Sequence, residues 1–116
     1  MMDLAIRDDL EIIQKTVSET DKVLLLAEEA AELSAAASKY ARILKGTNPT
    51  PMSGMTAQDH MFEEIGDILV CLLALKYVAT DTLTVLLDYH VAEYTDLKTR
   101  RWARRIEEKM QKENEK

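Results

Sequence analysis

The chain has 116 residues, 47% hydrophobic and 31% charged, with a net charge of −6. Its length suits one domain, 1–116, and its acidity argues against general nucleic-acid binding. The single cysteine, Cys71, excludes an internal disulfide and suits a reducing, cytoplasmic setting; no signal peptide is read at the start.

No uncharged apolar run approaches the ~20 residues of a membrane span. Three glycines, two prolines and abundant Ala, Leu, Glu and Lys predict an all-α, four-helix, bundle-like domain. With one Phe, one Trp and four Tyr, its core must be aliphatic. A chain of this size buries somewhat under ~70% of its extended surface, so a homodimer or a dimer of dimers is expected.

The first helix is read over about Asp3–Glu19, with Leu4, Leu10, Ile13 and Val17 forming a rough apolar stripe. Thr20 or Asp21 is the expected cap of the second, which runs to about Lys45. Gly46 stops it, with Arg42 and Lys45 suited to its last turn. The Pro- and Gly-containing stretch 46–55 then forms a loop. Thr56 followed by Asp59 resembles a capping box for a third helix over about Ala57–Ala79. Thr80-Asp81-Thr82 turns into a fourth helix that continues beyond Trp102, and the charged segment 106–116 is expected to fray. Helix three holds Ile68–Leu75, eight consecutive apolar residues, and so asks for cover on all sides. A second subunit would supply part of it.

Two acidic clusters share one internal spacing: Glu28-Glu29-Ala30-Ala31-Glu32 and Glu63-Glu64-Ile65-Gly66-Asp67. At ~100° per residue, acids three or four apart lie on one stripe, and two antiparallel helices could oppose those stripes. A solvated acidic face would carry Lys or Arg at i,i+4, and none lies within four residues of either cluster. Carboxylates gathered in a partly buried place repel one another and take up protons unless a cation joins them. Mg²⁺ suits oxygen ligands and is commonly shared with substrate phosphates, with Mn²⁺ as a possible substitute. Zinc fits poorly, because the histidines are only His60 and His90 and no Cys/His ligand spacing exists. A di-iron bundle needs two Glu-x-x-His motifs, and Ala57 and Leu87 stand where those glutamates belong.

Glu-Glu-x-x-Glu followed by Glu-Glu-x-x-Asp on consecutive helices resembles the MazG-type all-α nucleoside triphosphate pyrophosphohydrolases. The likeness covers most of the chain, in Leu24–Leu33 and in Glu63–Leu69, with Gly66 as the small residue beside the last acid. It implies metal ligands at Glu29, Glu32, Glu64 and Asp67, and phosphate-binding cations at Lys98 and Arg101. It also implies hydrolysis of a nucleoside triphosphate to a monophosphate and pyrophosphate. Metal ions there would neutralise phosphate oxygens and lower the pKa of a bound water, which attacks phosphorus in line. Glu28, Glu29 or Glu63 could orient that water. The stretch between the acid pairs, with Asn48-Pro49-Thr50-Pro51, is longer than usual in such proteins and reads as a lid or an insertion.

Other residues carry weaker signals. Lys98, Arg100, Arg101, Arg104 and Arg105 form a basic cluster: either Lys98 and Arg101, three apart, meet the triphosphate, or the cluster complements the helix dipole and the acidic surface. Trp102 either stacks on a base or packs at an interface. His60 is read as a phosphate contact or a surface residue, and Cys71 as core. Within the enzyme class, a dUTP/dCTP-type enzyme and a phosphoribosyl-ATP pyrophosphohydrolase both fit. Outside it, the rival is a non-catalytic helical interaction or regulatory module.

Overall fold

The computed structural model of the protein describes residues 4–47, 52–78 and 89–115. These form four helices and no strand: α1 Leu4–Thr16, α2 Glu19–Lys45, α3 Gly54–Ala74 and α4 Tyr89–Asn114. The all-α expectation therefore holds among the described residues. None of these helices is long and apolar enough to cross a membrane.

Helix α3 lies between α2 and α4, while α1 packs on α4 and α3. From α1, Ile6, Leu10 and Ile13 are buried; Ile6 and Leu10 meet Leu73, with Leu69 and Val78 packed alongside. The buried stripe of α1 thus runs through Ile6 and the charged Asp9. Val17 is half-buried, and the side chain of Leu4 lies outside the described residues. Asp9 tolerates burial because Arg104 of α4 pairs with it.

Two polar links fasten the helix ends. Gln14 Nε2 donates to the Leu73 carbonyl in the last turn of α3 at 2.9 Å. The buried Lys22 ammonium donates at 3.0 Å to the Gln14 carbonyl in the last turn of α1, where the helix dipole favours a cation.

The caps differ from the sequence expectation. Ser18, not Thr20 or Asp21, caps α2: its extended backbone lets Oγ accept the Asp21 N–H at 3.1 Å, with Glu19 and Asp21 in the first turn. Ser53, not Thr56, caps α3, accepting the Thr56 N–H at 3.1 Å. The expected end of α2 holds. Gly46 takes φ 72°, and the N–H groups of Gly46 and Thr47 return to the carbonyls of Ile43 and Arg42. Helix α3 stops at Ala74, short of Ala79, because the same closing motif forms around Lys76 at φ 63°. A lysine in that left-handed conformation is not legible as a stop signal.

The turn expected at Thr80-Asp81-Thr82 and the residues Asn48–Pro51 lie outside the described residues. At the other end, the segment expected to fray is helical as far as Asn114, with its side chains mostly exposed. Of the apolar run 68–75, Val70, Cys71, Leu73 and Ala74 are buried, whereas Ile68, Leu69, Leu72 and Leu75 are half-buried.

The joint between α3 and α4 positions the site. Helix α4 buries a stripe of modest side chains, Val91, Thr95, Thr99 and Ala103. Each threonine hydroxyl donates at 2.8 Å to the carbonyl four residues earlier, so no polar group is stranded. Opposite stands Gly66. A Cβ there would sit 2.8 Å from Tyr94 Cβ and 3.1 Å from the Thr95 backbone nitrogen. Tyr94 Oη donates to Asp59 Oδ2 at 2.6 Å and ties the same joint. The missing side chain lets the α4 backbone close onto α3 one residue from Asp67.

Candidate metal centre

Glu29 and Glu32 come from α2, Glu64 and Asp67 from α3. Each pair is separated by three residues and so faces one way from its helix. The two pairs meet: one carboxylate oxygen from each of the four lies within 4.8 Å of the other three. Glu32 is exposed, and the other three are half-buried. They line one end of a cavity of about 500 Å³ between α2, α3 and α4.

The electrostatics of this cluster are unfavourable without a further cation. Burial, followed by the charges of Asp67, Glu32 and Glu64, pushes the Glu29 carboxyl up to about 7. Burial and the charges of Asp67 and Glu32 push Glu64 up to about 7 as well, with Lys98 pulling the other way. Burial also raises Asp67, although Lys98 opposes the shift. The Oε2 atoms of Glu29 and Glu64 are buried and have no hydrogen-bond partner. An unpaired buried carboxylate oxygen is costly, and several within one small volume are costlier.

These features fit a hard divalent cation. The donor set is entirely carboxylate oxygen, its atoms are close enough to share an ion, and two buried oxygens lack any other partner. No nitrogen or sulfur donor belongs to the group, which suits Mg²⁺ or Mn²⁺ better than zinc.

The other sequence candidates separate into two groups. Glu28 is exposed and stands outside the four-acid cluster. Glu63 also lies outside it, but accepts a hydrogen bond from Lys98 Nζ at 2.9 Å. Lys98 in turn stands 3.5 Å from Asp67 Oδ1. Burial alone would lower the Lys98 pKa; its bonds to Glu63 and Asp67 outweigh that and raise it, so the ammonium stays charged. Arg101 and Trp102 line the cavity with Lys98.

The basic cluster of α4 divides by face. Arg104 turns to Asp9 and Glu107, whereas Arg101 and Arg105 face the cavity, followed by Lys109. Arg105, expected only as part of the basic cluster, and Lys109, not named in it, both line the cavity. Their signal was available as a continuation of Arg101 at spacings of four. His60 is exposed and lines a smaller recess with Lys39, Glu63 and Glu64, and is not among the residues lining the main cavity. Cys71 is buried at the cavity floor; burial and the charges of Glu29 and Asp67 push its thiol up to about 12, so it serves as packing.

The cavity therefore has an acidic end and a basic wall, with Trp102 and Ile106 as apolar surface between the cations. Such a shape suits a metal-bound anion with an attached apolar or aromatic group. Compared with protein-family models, curated proteins and solved structures, the chain matches none.

Proposed function

We propose that this protein is a Mg²⁺-dependent nucleoside triphosphate pyrophosphohydrolase of the MazG-like type, converting a nucleoside triphosphate and water into the monophosphate and pyrophosphate. The observation that carries the proposal is the convergence of four carboxylates in a cavity also lined by Lys98, Arg101 and Arg105. Acids alone would suit many cation sites. Acids and cations lining one cavity suit a ligand that brings both a metal ion and negative charge, which describes a metal-complexed polyphosphate.

In this scheme Glu29, Glu32, Glu64 and Asp67 hold Mg²⁺, with Mn²⁺ as a substitute. When bound, the ion supplies positive charge to the phosphate oxygens and makes nearby water more acidic. Lys98 and Arg101 bind and orient the phosphate chain, with Arg105 extending the wall. Glu63 positions Lys98 through their hydrogen bond. Trp102, half-buried in the cavity wall, offers a flat face to the base. The exposed Glu28 is poorly placed to orient water, which leaves Glu29 as the better candidate of the two.

The proposed assembly is a homodimer or homotetramer. On the side of α2 away from α3, Val23, Leu24, Ala27, Ala30, Ala31 and Ala41 are all exposed. The radius of gyration is 16.0 Å, against about 13 Å for a compact chain of this length. A second copy covering α2 accounts for both, and sedimentation of an Ala30→Arg variant as the same oligomer as the parent would remove this part. The lone buried Cys71 supports a reducing, cytoplasmic location.

The test is a panel of ribo- and deoxynucleoside triphosphates incubated with Mg²⁺ and assayed for pyrophosphate. At least one should yield pyrophosphate, and Glu32→Gln and Asp67→Asn should abolish its release. If no triphosphate yields pyrophosphate, the enzymatic function is wrong. Pyrophosphate release that survives both substitutions would move the chemistry to another site.

A further inference from the structure

Lys98 has two competing uses. Its ammonium bonds Glu63 at 2.9 Å and stands 3.5 Å from Asp67, one of the four clustered acids. Its side chain is only 20% exposed, and Asp67's is 16% exposed. The neighbouring cations on the cavity wall behave differently. Arg101, Arg105 and Lys109 are exposed and form no ion pair with a described residue. Of the four cations lining the cavity, Lys98 alone is held on the acids among the described residues.

A divalent ion bound by Asp67 would come within a few ångströms of that ammonium. Like charges at such a distance repel strongly in a half-buried site. Lys98 must then leave Asp67, giving up part of the interaction that holds it. Lysine is suited to this movement, having a flexible stem and a compact charge with three donors. Its natural destination is the cavity beside Arg101, but only if an anion is there to receive it.

We propose that Lys98 is a displaceable internal counter-ion, so that the pocket takes a divalent cation and a polyphosphate together in preference to the free cation. This rests on the four acids being a divalent-cation site, as proposed above. Free metal must draw Lys98 off Asp67 with only Glu63 left to hold it. Metal arriving with polyphosphate supplies the phosphate oxygens that accept the displaced ammonium. The two ligands consequently strengthen one another's binding, and that coupling is reciprocal. Glu63 lies outside the four acids and keeps the lysine nearby during the exchange. Arg101, with no acid to leave, contributes to phosphate affinity without opposing the metal.

The experiment measures Mn²⁺ binding to the full chain by calorimetry and by the electron paramagnetic resonance of free Mn²⁺. It is done without and with inorganic pyrophosphate, correcting for chelation in solution. Wild-type protein should bind Mn²⁺ more tightly once pyrophosphate is present. Lys98→Met and Lys98→Gln should bind Mn²⁺ alone roughly five- to tenfold more tightly than wild type, the scale of one partly exposed ion pair. Both should lose most of the pyrophosphate enhancement. Lys98→Arg keeps the charge and should remain within about twofold of wild type for Mn²⁺ alone. Arg101→Met should weaken pyrophosphate binding and leave the affinity for Mn²⁺ alone in place. Melting curves establish that each variant is folded.

Unchanged or weaker Mn²⁺ binding by both neutral Lys98 variants would overturn the counter-ion role while leaving the metal site standing. Failure of wild type and variants alike to bind Mn²⁺ would overturn both this role and the proposed metal centre.

Discussion

Asp9 and the pair Glu29 and Glu64 are all acids drawn away from water, and the fold treats them in opposite ways. Asp9, 5% exposed between α1 and α4, has Arg104 as its partner. Glu29 and Glu64, between α2 and α3, each keep a buried oxygen without a partner and are pushed up to about 7. A carboxylate buried for structure comes with its cation. One half-buried beside three others, without enough positive charge, is a liability in the isolated fold and would become an asset if a metal bound, as proposed.

The contrast predicts opposite responses to removing charge. Glu64→Gln should lower pyrophosphate release by at least about a hundredfold, since losing a ligand should cost no less than losing its outer-shell support. The same change should leave the metal-free melting temperature equal or higher, because it removes repulsion. A large metal-free destabilisation by Glu64→Gln would make this acid a structural one, like Asp9. Arg104→Met strands Asp9, and the expected loss is about 2 kcal/mol of stability by denaturant unfolding. The activity of its folded fraction should stay near wild type. Gly66→Ala drives a methyl group against Tyr94 and the Thr95 backbone. It should cost about 1–3 kcal/mol and also lower activity by displacing Lys98 on the following turn of α4.

A smaller effect follows from pH. The carboxyls of Glu29 and Glu64 ordinarily titrate near 4.5 and are raised to about 7 in the fold. Below pH 4.5 folded and unfolded forms both hold these protons, and the fold bears no penalty. Between about 4.5 and 7 the unfolded chain releases them first, so stability falls as pH rises and the penalty is complete above 7. The melting temperature of metal-free wild type should therefore drop relative to a Glu29→Gln/Glu64→Gln double variant across that window, by roughly a few degrees. Saturating Mg²⁺ should remove the drop. A constant difference between the two proteins from pH 4.5 to 8 would show that these carboxyls are not raised.

The acid spacing was legible because it is local geometry. Residues three apart share a helix face whatever the tertiary structure, and the lack of nearby lysines marked both faces as unusual. The convergence of the two faces needed only the correct placement of two long helices. The helix ends were harder. Ser18 and Ser53 are each followed by further polar residues that could cap equally well, and Lys76 closes α3 in a conformation that sequence normally signals with glycine.

Helix α4 hid its orientation most effectively. Its buried stripe is Val91, Thr95, Thr99 and Ala103, which carries little hydrophobic signal amid charges on every side. Without that face, Arg104 could not be told from Arg105. With that stripe packed and the backbone close to Gly66, Lys98, Arg101 and Arg105 line the cavity with the acids and Arg104 meets Asp9. The buried Asp9 was likewise invisible, because a charged residue is not expected in an apolar stripe.

The most direct measurement is anomalous diffraction from crystals of the full chain soaked in Mn²⁺ near pH 7.5. An anomalous peak is expected within coordination distance of carboxylate oxygens from Glu29, Glu32, Glu64 and Asp67. Ordered Mn²⁺ elsewhere with none among these four residues, or crystals in which the four carboxylates stand apart, would contradict it.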